Sequence, residues 1–483
     1  MKRNPYSLEL ETVVAASPLL GHFLEDRRPV REAQDPALVR RMLEATSTPL
    51  ANDAQRRLFA VAPLDVLVSD GPEGKQFHLI ELNGTGIGGL SNLPAEVVGP
   101  ILDVLTDMAS HVAEPAPLFV LGVSGKESSE RPRLNKVMHE KLLFAEALAR
   151  GLRLRHGRGE VFALPTVLRG HRPFEAGVPG VVLGYMKELI AAMRVDEDGR
   201  LFLGSRPVAG MLNDRFVLNT LEHFANRVDL NRLFTINRCF VPGADKGVAY
   251  RLMNDYVVAN PSPRLPDRVG FEIVYDRATL IETVLAWVRD GRQVVIKPHA
   301  TGVGHGVDFF LRPEPEASII ARIDESLQLT KSHYGASEGA FPYTVCDFID
   351  ACIIAHPEHP LHGHKYELRI VVFQDDGVLR ALPSIVKVAS SRYDATNPAR
   401  DALINNVTAA TERGAEGTDF MLPLTHPRTL ELLGIDFEEL VEVSACLTRF
   451  VAHVIGEIQR VPSEFGLPAD DFQGRIFTPS AAE

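Results

Sequence analysis

The chain has 483 residues, 45% of them hydrophobic and 24% charged, with a formal net charge of -12 at pH 7. That length exceeds what one small core organises, so two or three domains are expected, and the acidic balance argues against a nucleic-acid partner, whose phosphates would be repelled. Four cysteines (Cys239, Cys346, Cys352 and Cys446) without C-x-x-C spacing are too few for a disulfide framework and point to a reduced protein.

In chain order, the start "MKRNPYSLELETVVAASPLLGHFLED" has a faint signal-like character, but Glu9 and Glu11 interrupt its apolar part. No run of about 18 apolar residues follows anywhere, so a soluble cytoplasmic protein without a membrane partner is expected. "FHLIELNGTGIGGLSNLP" (77–94) begins as a strand. By the two-residue period, His78, Ile80 and Leu82 take one face and Leu79, Glu81 and Asn83 the other. A carboxylate on a mostly apolar strand is costly unless something positive meets it.

"PLFVLGVSGK" (117–126) opens an α/β layer running to about residue 235, in which Met138, Leu142, Ala145 and Ala149 mark a helix with Gly151 as its stop. "EVFALPTVL" and "GVVLGYMKELI" continue that layer, and "NPSPRLPDR" (260–268) is a linker or loop. "RQVVIKP" (292–298) and "YELRIVVF" (366–373) are strongly β, and "GVLRALPSIVKVAS" (377–390) follows closely enough for a hairpin or meander. Leu440, Leu447, Val451, Val454 and Ile458 stripe a long helix, and a polar tail follows about residue 462.

The segment "VVIKPHATGVGHGV" (294–307) carries the clearest chemistry. A buried β run ends at Lys297 and a loop rich in Gly302, Gly304 and Gly306 follows. Glycines let backbone N–H groups turn towards phosphate oxygens, and the lysine adds a point charge for them. The spacing matches neither G-x-x-x-x-G-K-[ST] nor G-x-G-x-x-G, and a plain hairpin tip is the competing explanation. Around it stand "GADKGVAYRLMND" with Lys246 opening a helix, and "YTVCDFIDA". "KYELRIVVF" follows, with Lys365, Glu367 and Arg369 on one strand face, then "ALINNVTAATERG" with Asn405 and Asn406.

This series resembles the ATP-grasp superfamily over most of residues 115–460, and with it D-alanine–D-alanine ligase and tubulin–tyrosine ligase relatives. The resemblance implies an α/β (α+β) fold of two subdomains gripping ATP, preceded by an α/β layer. Lys246 and Lys297 match the two phosphate lysines. "HATGVGHG" matches the phosphate-covering loop, placing Thr301, Gly302, Val303 and Gly304 at the nucleotide. "CDFI" matches the adenine linker, with the backbone of Asp347 and Ile349 at the base edge, although Cys346 stands where many relatives carry Glu or Gln. "KYELR" is similar to a K-F-D-[IL]-R strand, which implies nucleotide and acyl-phosphate roles for Lys365, Glu367 and Arg369. Arg392 and Asn406 would join Arg369 in stabilising the transferring group.

The family holds Mg²⁺ with an acidic residue on one strand and a Glu-x-Asn pair on the next, usually near the C-terminus. That hairpin matches "LDVLVSDGPEGKQFHLIELNGTGIGG" instead, with Asp65, Glu81 and Asn83 as ligands, so a circular permutation is expected, and the metal would supply the charge that makes burial of Glu81 tolerable. The implied domains are 1–110 (permuted metal-binding part), 111–235 (pre-ATP-grasp layer), 236–345 (lid) and 346–483 (large subdomain and tail). The implied activity is an ATP- and Mg²⁺-dependent ligase joining a small carboxylate to an amine through an acyl phosphate. The alternatives are a kinase acting on a hydroxyl, or a nucleotide-binding protein without turnover. A homodimer is left open. The tract "HPEHPLHGH" (356–364), with His356, His359, His362 and His364, lacks a separated second ligand pair and is expected to be a solvated or substrate-side loop rather than a metal site.

Overall fold

The computed structural model describes residues 11, 14, 34–84, 87, 90, 93–123, 136–212, 214–225, 227–229, 232–237, 246–265, 268–299, 304–334, 341–396, 398–404 and 420–460. After a helix at Pro36–Ala45 and two short elements come two long antiparallel strands, β1 (Val61–Gly71) and β2 (Gly74–Leu82), then helix α1 (Ala95–Ser110). A parallel layer follows: β3 (Leu118–Val123), α2 (Lys136–His156), β4 (Glu160–Ala163), β5 (Gly180–Tyr185), β6 (Gly210–Leu212) and β7 (Phe234–Ile236). Helix α3 (Lys246–Ala259) leads into β8 (Phe271–Val274), β9 (Val294–Pro298), β10 (Asp308–Phe310) and β11 (Tyr343–Asp347). The hairpin β12 (Tyr366–Asp375) and β13 (Val378–Val388) and the long helix α4 (Phe437–Arg460) complete the frame.

Among the described residues the strands form four sheets, the smallest a three-stranded one (Met193–Val195, Leu201–Leu203, Arg206–Pro207), which makes this a mixed α/β (α+β) protein. β7-β6-β3-β5-β4 is a parallel sheet, as the continuous apolar burial of β3 and β5 requires of strands covered on both faces. β8-β11-β9-β10 is antiparallel, over a core of its own that includes Leu280, Trp287 and Phe310. The largest sheet runs Thr48–Pro49, β13, β12, β1, β2, with Met421–Pro423 on β13. Residues 61–82 thus lie in one sheet with 366–388, although nearly three hundred residues of chain separate them.

Side-chain alternation on β12 decides where the site falls. Leu368, Ile370 and Val372 enter the core that holds α4, whose Leu440, Leu447, Val451, Val454 and Ile458 are all buried there, as their spacing predicts. Val371 and Phe373 enter the other core, with α1 and α2. Burying each such side chain contributes about 1.5–3 kcal/mol. Glu367 and Arg369 continue the second face, so the polar cluster begins where that apolar core ends.

The expected helix stop at Gly151 is not one. α2 runs on to His156 and ends at Gly157, which takes the left-handed φ of +72° typical of a helix end. Gly151 serves packing instead: a Cβ there would overlap the Thr106 carbonyl oxygen of α1 and crowd Ala109. Gly to Ala in a helix interior ordinarily gains about 0.5–1 kcal/mol. Here Gly151→Ala should instead lower the melting temperature, by the equivalent of about 1–3 kcal/mol for overpacking. Thermal unfolding of the variant checks this, and a higher melting temperature would contradict the close crossing of α1 and α2.

Candidate functional site

Two β-bulges lie at one level of the large sheet. One falls between Asp65 and Val66, so that Val66 faces Leu79 while Asp65 faces Glu81. The strict two-residue alternation expected for 77–83 therefore fails at Ile80. Glu81 is turned away from the face that Leu79 takes and towards Asp65, as bulges next to functional sites commonly re-aim a side chain. The second bulge falls between Arg369 and Ile370, and Ser384 on β13 donates its hydroxyl hydrogen to the Arg369 carbonyl at 3.1 Å. Arg369 is in register with Asp65, and Glu367 with Lys387.

Asp65, 2% exposed, is the centre. Arg369 donates to it from Nε (2.8 Å) and Nη2 (2.9 Å), Lys387 Nζ lies at 3.0 Å, and the Asn83 amide donates at 3.0 Å. Lys387 also pairs with Glu367. Lys246, the first residue of α3, reaches across to Glu81 at 2.7 Å. The third guanidinium nitrogen of Arg369, Nη1, donates to the Ile87 carbonyl at 3.1 Å, and the Ile87 N–H donates to Glu140 at 2.6 Å. Ile87 is thereby tied both to the cluster and to α2.

Burial pushes the Asp65 carboxyl up, but the charges and hydrogen bonds of Arg369 and Lys387 outweigh it and hold it well below the usual carboxylate range. Glu81 is also lowered: burial and the neighbouring Asp65 charge oppose ionisation, and Lys246 overcomes them. Glu367 moves the other way, because burial, reinforced by Asp65, exceeds what Lys387 offsets. The expectation that only a metal would compensate Glu81 is corrected here, since an ammonium already does so.

Lys297 donates to the Tyr250 hydroxyl at 2.6 Å. Tyr250 lies one turn beyond Lys246 on α3, so the two lysines meet at one helix. Lys365 goes elsewhere: its ammonium binds Asp350 at 2.7 Å and lies over the Tyr393 ring, so it does not join Glu367 and Arg369 despite the shared spacing. The Asp347 carboxylate is held by Arg292 and by the Gly270 N–H, and its own N–H donates to the Gly270 carbonyl. The Ile349 carbonyl accepts from the Ala351 N–H. Arg392 lies beside Gly363, and among the described residues no hydrogen bond or ion pair joins it to the cluster. Gly304 and Gly306 have φ of +70° and +73°, and their carbonyls accept from Arg400 and Ser326, so this end of the glycine loop is pinned. Thr301, Gly302, Val303, Asn405 and Asn406 lie outside the described residues.

Lys387 and Tyr250 escaped the sequence reading. The available signals were a lysine inside the apolar run of "PSIVKVAS", and a tyrosine four residues after Lys246. Among the described residues no group of three or more His, Cys, Asp or Glu side chains is arranged to hold a metal, and no helix is long and apolar enough to cross a membrane. In the 356–364 tract, His364 bonds the Ala389 carbonyl at 2.8 Å.

No family model and no curated protein matches the chain. Among solved structures it is similar to D-alanyl-alanine synthetase A from Vibrio cholerae O1 biovar eltor str. N16961, with 10% identity, 70% of this chain and 99% of that chain covered, and a TM-score of 0.27. An overlap of that size establishes neither a common fold nor a common reaction.

Asp65 should carry a pH-dependent share of stability. Its folded pKa is depressed below an unfolded value of about 4, so its contribution is complete above that value and is lost as pH falls through the lower one. Asp65→Asn leaves two buried cations facing a neutral amide, which should cost about 3–5 kcal/mol near neutral pH. Urea unfolding of both proteins should show this gap narrowing below about pH 4. A gap that stays constant on acidification would mean that Asp65 is not ionised in the fold.

Proposed function

We propose that the protein is an ATP-dependent, ADP-forming carboxylate–amine ligase of the ATP-grasp kind, with its metal-binding hairpin moved to the front of the chain. The observation that carries this reading is the Lys246–Glu81 contact within the Asp65, Arg369 and Lys387 cluster. It joins the phosphate lysine and the carboxylate hairpin that the family resemblance singles out, from distant parts of the chain. The proposed division into 1–110, 111–235, 236–345 and 346–483 is supported by the sheets. Three sheets each draw their strands from one middle stretch, to within two residues, and the first and last stretches share the largest.

The donor chemistry fits Mg²⁺: two carboxylates opposite each other on paired strands, both held ionised, and an amide oxygen one position beyond β2. Asp65, Glu81 and Asn83 would hold it, and when bound it supplies positive charge to the phosphate oxygens. Three carboxylates (Asp65, Glu81, Glu367) already face three cations (Lys246, Arg369, Lys387). A bare divalent ion would leave that balance two charges positive. Nucleotide phosphates restore it and give Lys246 and Lys297 new partners.

An oxygen of the acid substrate attacks the γ-phosphorus of ATP and ADP leaves. The amine then attacks the acyl carbon, phosphate departs, and the amine gives up a proton. Lys246 and Lys297 hold the phosphate oxygens in line and neutralise them, which is the protein's main contribution to phosphoryl transfer. Arg369, with all three nitrogens engaged, acts as a positioning residue for Asp65 and Ile87.

Screening ADP and phosphate release against amino acids and small acids tests the reading. Free phosphate should appear only with an acid and an amine together, and phosphate transferred to a hydroxyl would show a kinase instead. Glu81→Gln should lower turnover by at least ~100-fold, comparable to losing a transition-state electrostatic contact, without weakening ADP binding, because Lys246 is freed for phosphate. An E81Q variant with near-normal turnover at limiting Mg²⁺ would remove Glu81 from the site.

A further inference from the structure

Among the described residues outside this cluster, one lysine ammonium is buried with no hydrogen-bond partner. Lys141 is 1% exposed, its Nζ has no hydrogen-bond partner, and it lies 5.9 Å from the centroid of the Phe144 ring. An ammonium in that condition is costly unless an anion meets it. Its position suits such a role. In chain order α2 follows β3, a strand of the parallel sheet, and Lys141 is the sixth residue of the helix; open α/β sheets take their ligands beyond the carboxyl ends of their strands. Its chain neighbour Glu140 accepts from the Ile87 N–H, and the Ile87 carbonyl accepts from Arg369, which binds Asp65. Lys141 is therefore one residue along α2 from the contact that ties Ile87 to the helix, with its side chain on an adjoining face. The phosphate-binding lysines approach by way of α3, from a different part of the chain.

We propose that Lys141 is the receptor for a carboxylate of the acid substrate. This assignment rests on the ligase reading for the word substrate, and on the buried unpartnered ammonium for the site itself. Removing the charge should relieve an unfavourable burial while abolishing carboxylate recognition, a combination that a merely structural lysine would not show.

The test compares thermal unfolding of the full chain and Lys141→Met in acetate, succinate, L-alanine and L-glutamate, with ADP and inorganic phosphate as further arms and no ATP present. K141M should melt in buffer at or above the wild-type temperature. At least one carboxylate should raise the wild-type melting temperature by about 2 °C or more, through mass action on the folded state, and leave K141M unmoved. ADP should stabilise both proteins equally. The assignment is overturned if no carboxylate separates the two proteins, if K141M melts lower in buffer, or if the variant loses its response to ADP or phosphate instead. Should K141M not fold, Lys141→Gln takes its place with the same expected outcomes. The nucleotide-turnover screen separates the two ideas. Turnover without a Lys141-dependent carboxylate effect sinks only this site, and the converse keeps the site and removes the ligase.

Discussion

The structure depends on a charge balance built into one face of the large sheet. Asp65 is almost fully buried, and it is tolerable there because Arg369 and Lys387 come from the two strands beyond it and stay close enough to keep it ionised. Glu81 is matched from outside the sheet by Lys246, and Glu367 by the same Lys387. Removing any one member leaves an unmatched charge in a poorly solvated place. The cluster thus constrains strand register, the approach of α3, and the position of Ile87.

That constraint explains the bulges. A regular β2 would carry Glu81 on the face that Leu79 takes, against the apolar core; the bulge opposite Asp65 and Val66 turns it towards Asp65 instead. The second bulge sits beside Arg369, and with it β12 presents apolar side chains to two cores and Glu367 and Arg369 to the cluster. Packing and chemistry use the same strand face in succession, which is why the site borders a core and not a loop.

Much of this was legible in the sequence, for identifiable reasons. The stripe from Leu440 to Ile458 has helical spacing and is buried as that spacing predicts. The run at 366–373 and its neighbour at 377–390 form the expected hairpin. Glu81 and Lys246 attract notice because a carboxylate and a lysine stand at the end of a strand and the start of a helix. What the sequence does not reveal is which cation meets which carboxylate, since Lys246 and Glu81 are 165 positions apart. A bulge carries no signature in "FHLIELN", and Gly151 looks like a stop because spacing alone cannot distinguish a helix end from a helix crossing. Lys365 shares its spacing with Glu367 and Arg369, yet Asp350 and Tyr393 claim it, because it precedes the first residue of the strand.

The balance also sets how the site meets its ligands. A neutral cluster has little attraction for a lone divalent cation, and it favours one that arrives with phosphate. Calorimetric titration of the protein with Mg²⁺ alone, and then with Mg²⁺ and ADP together, tests this most directly. The account predicts no measurable binding of Mg²⁺ by itself and a saturable isotherm for the pair that Lys246→Met weakens. Tight binding of Mg²⁺ without nucleotide, unaffected by ADP and by loss of Lys246, would contradict it.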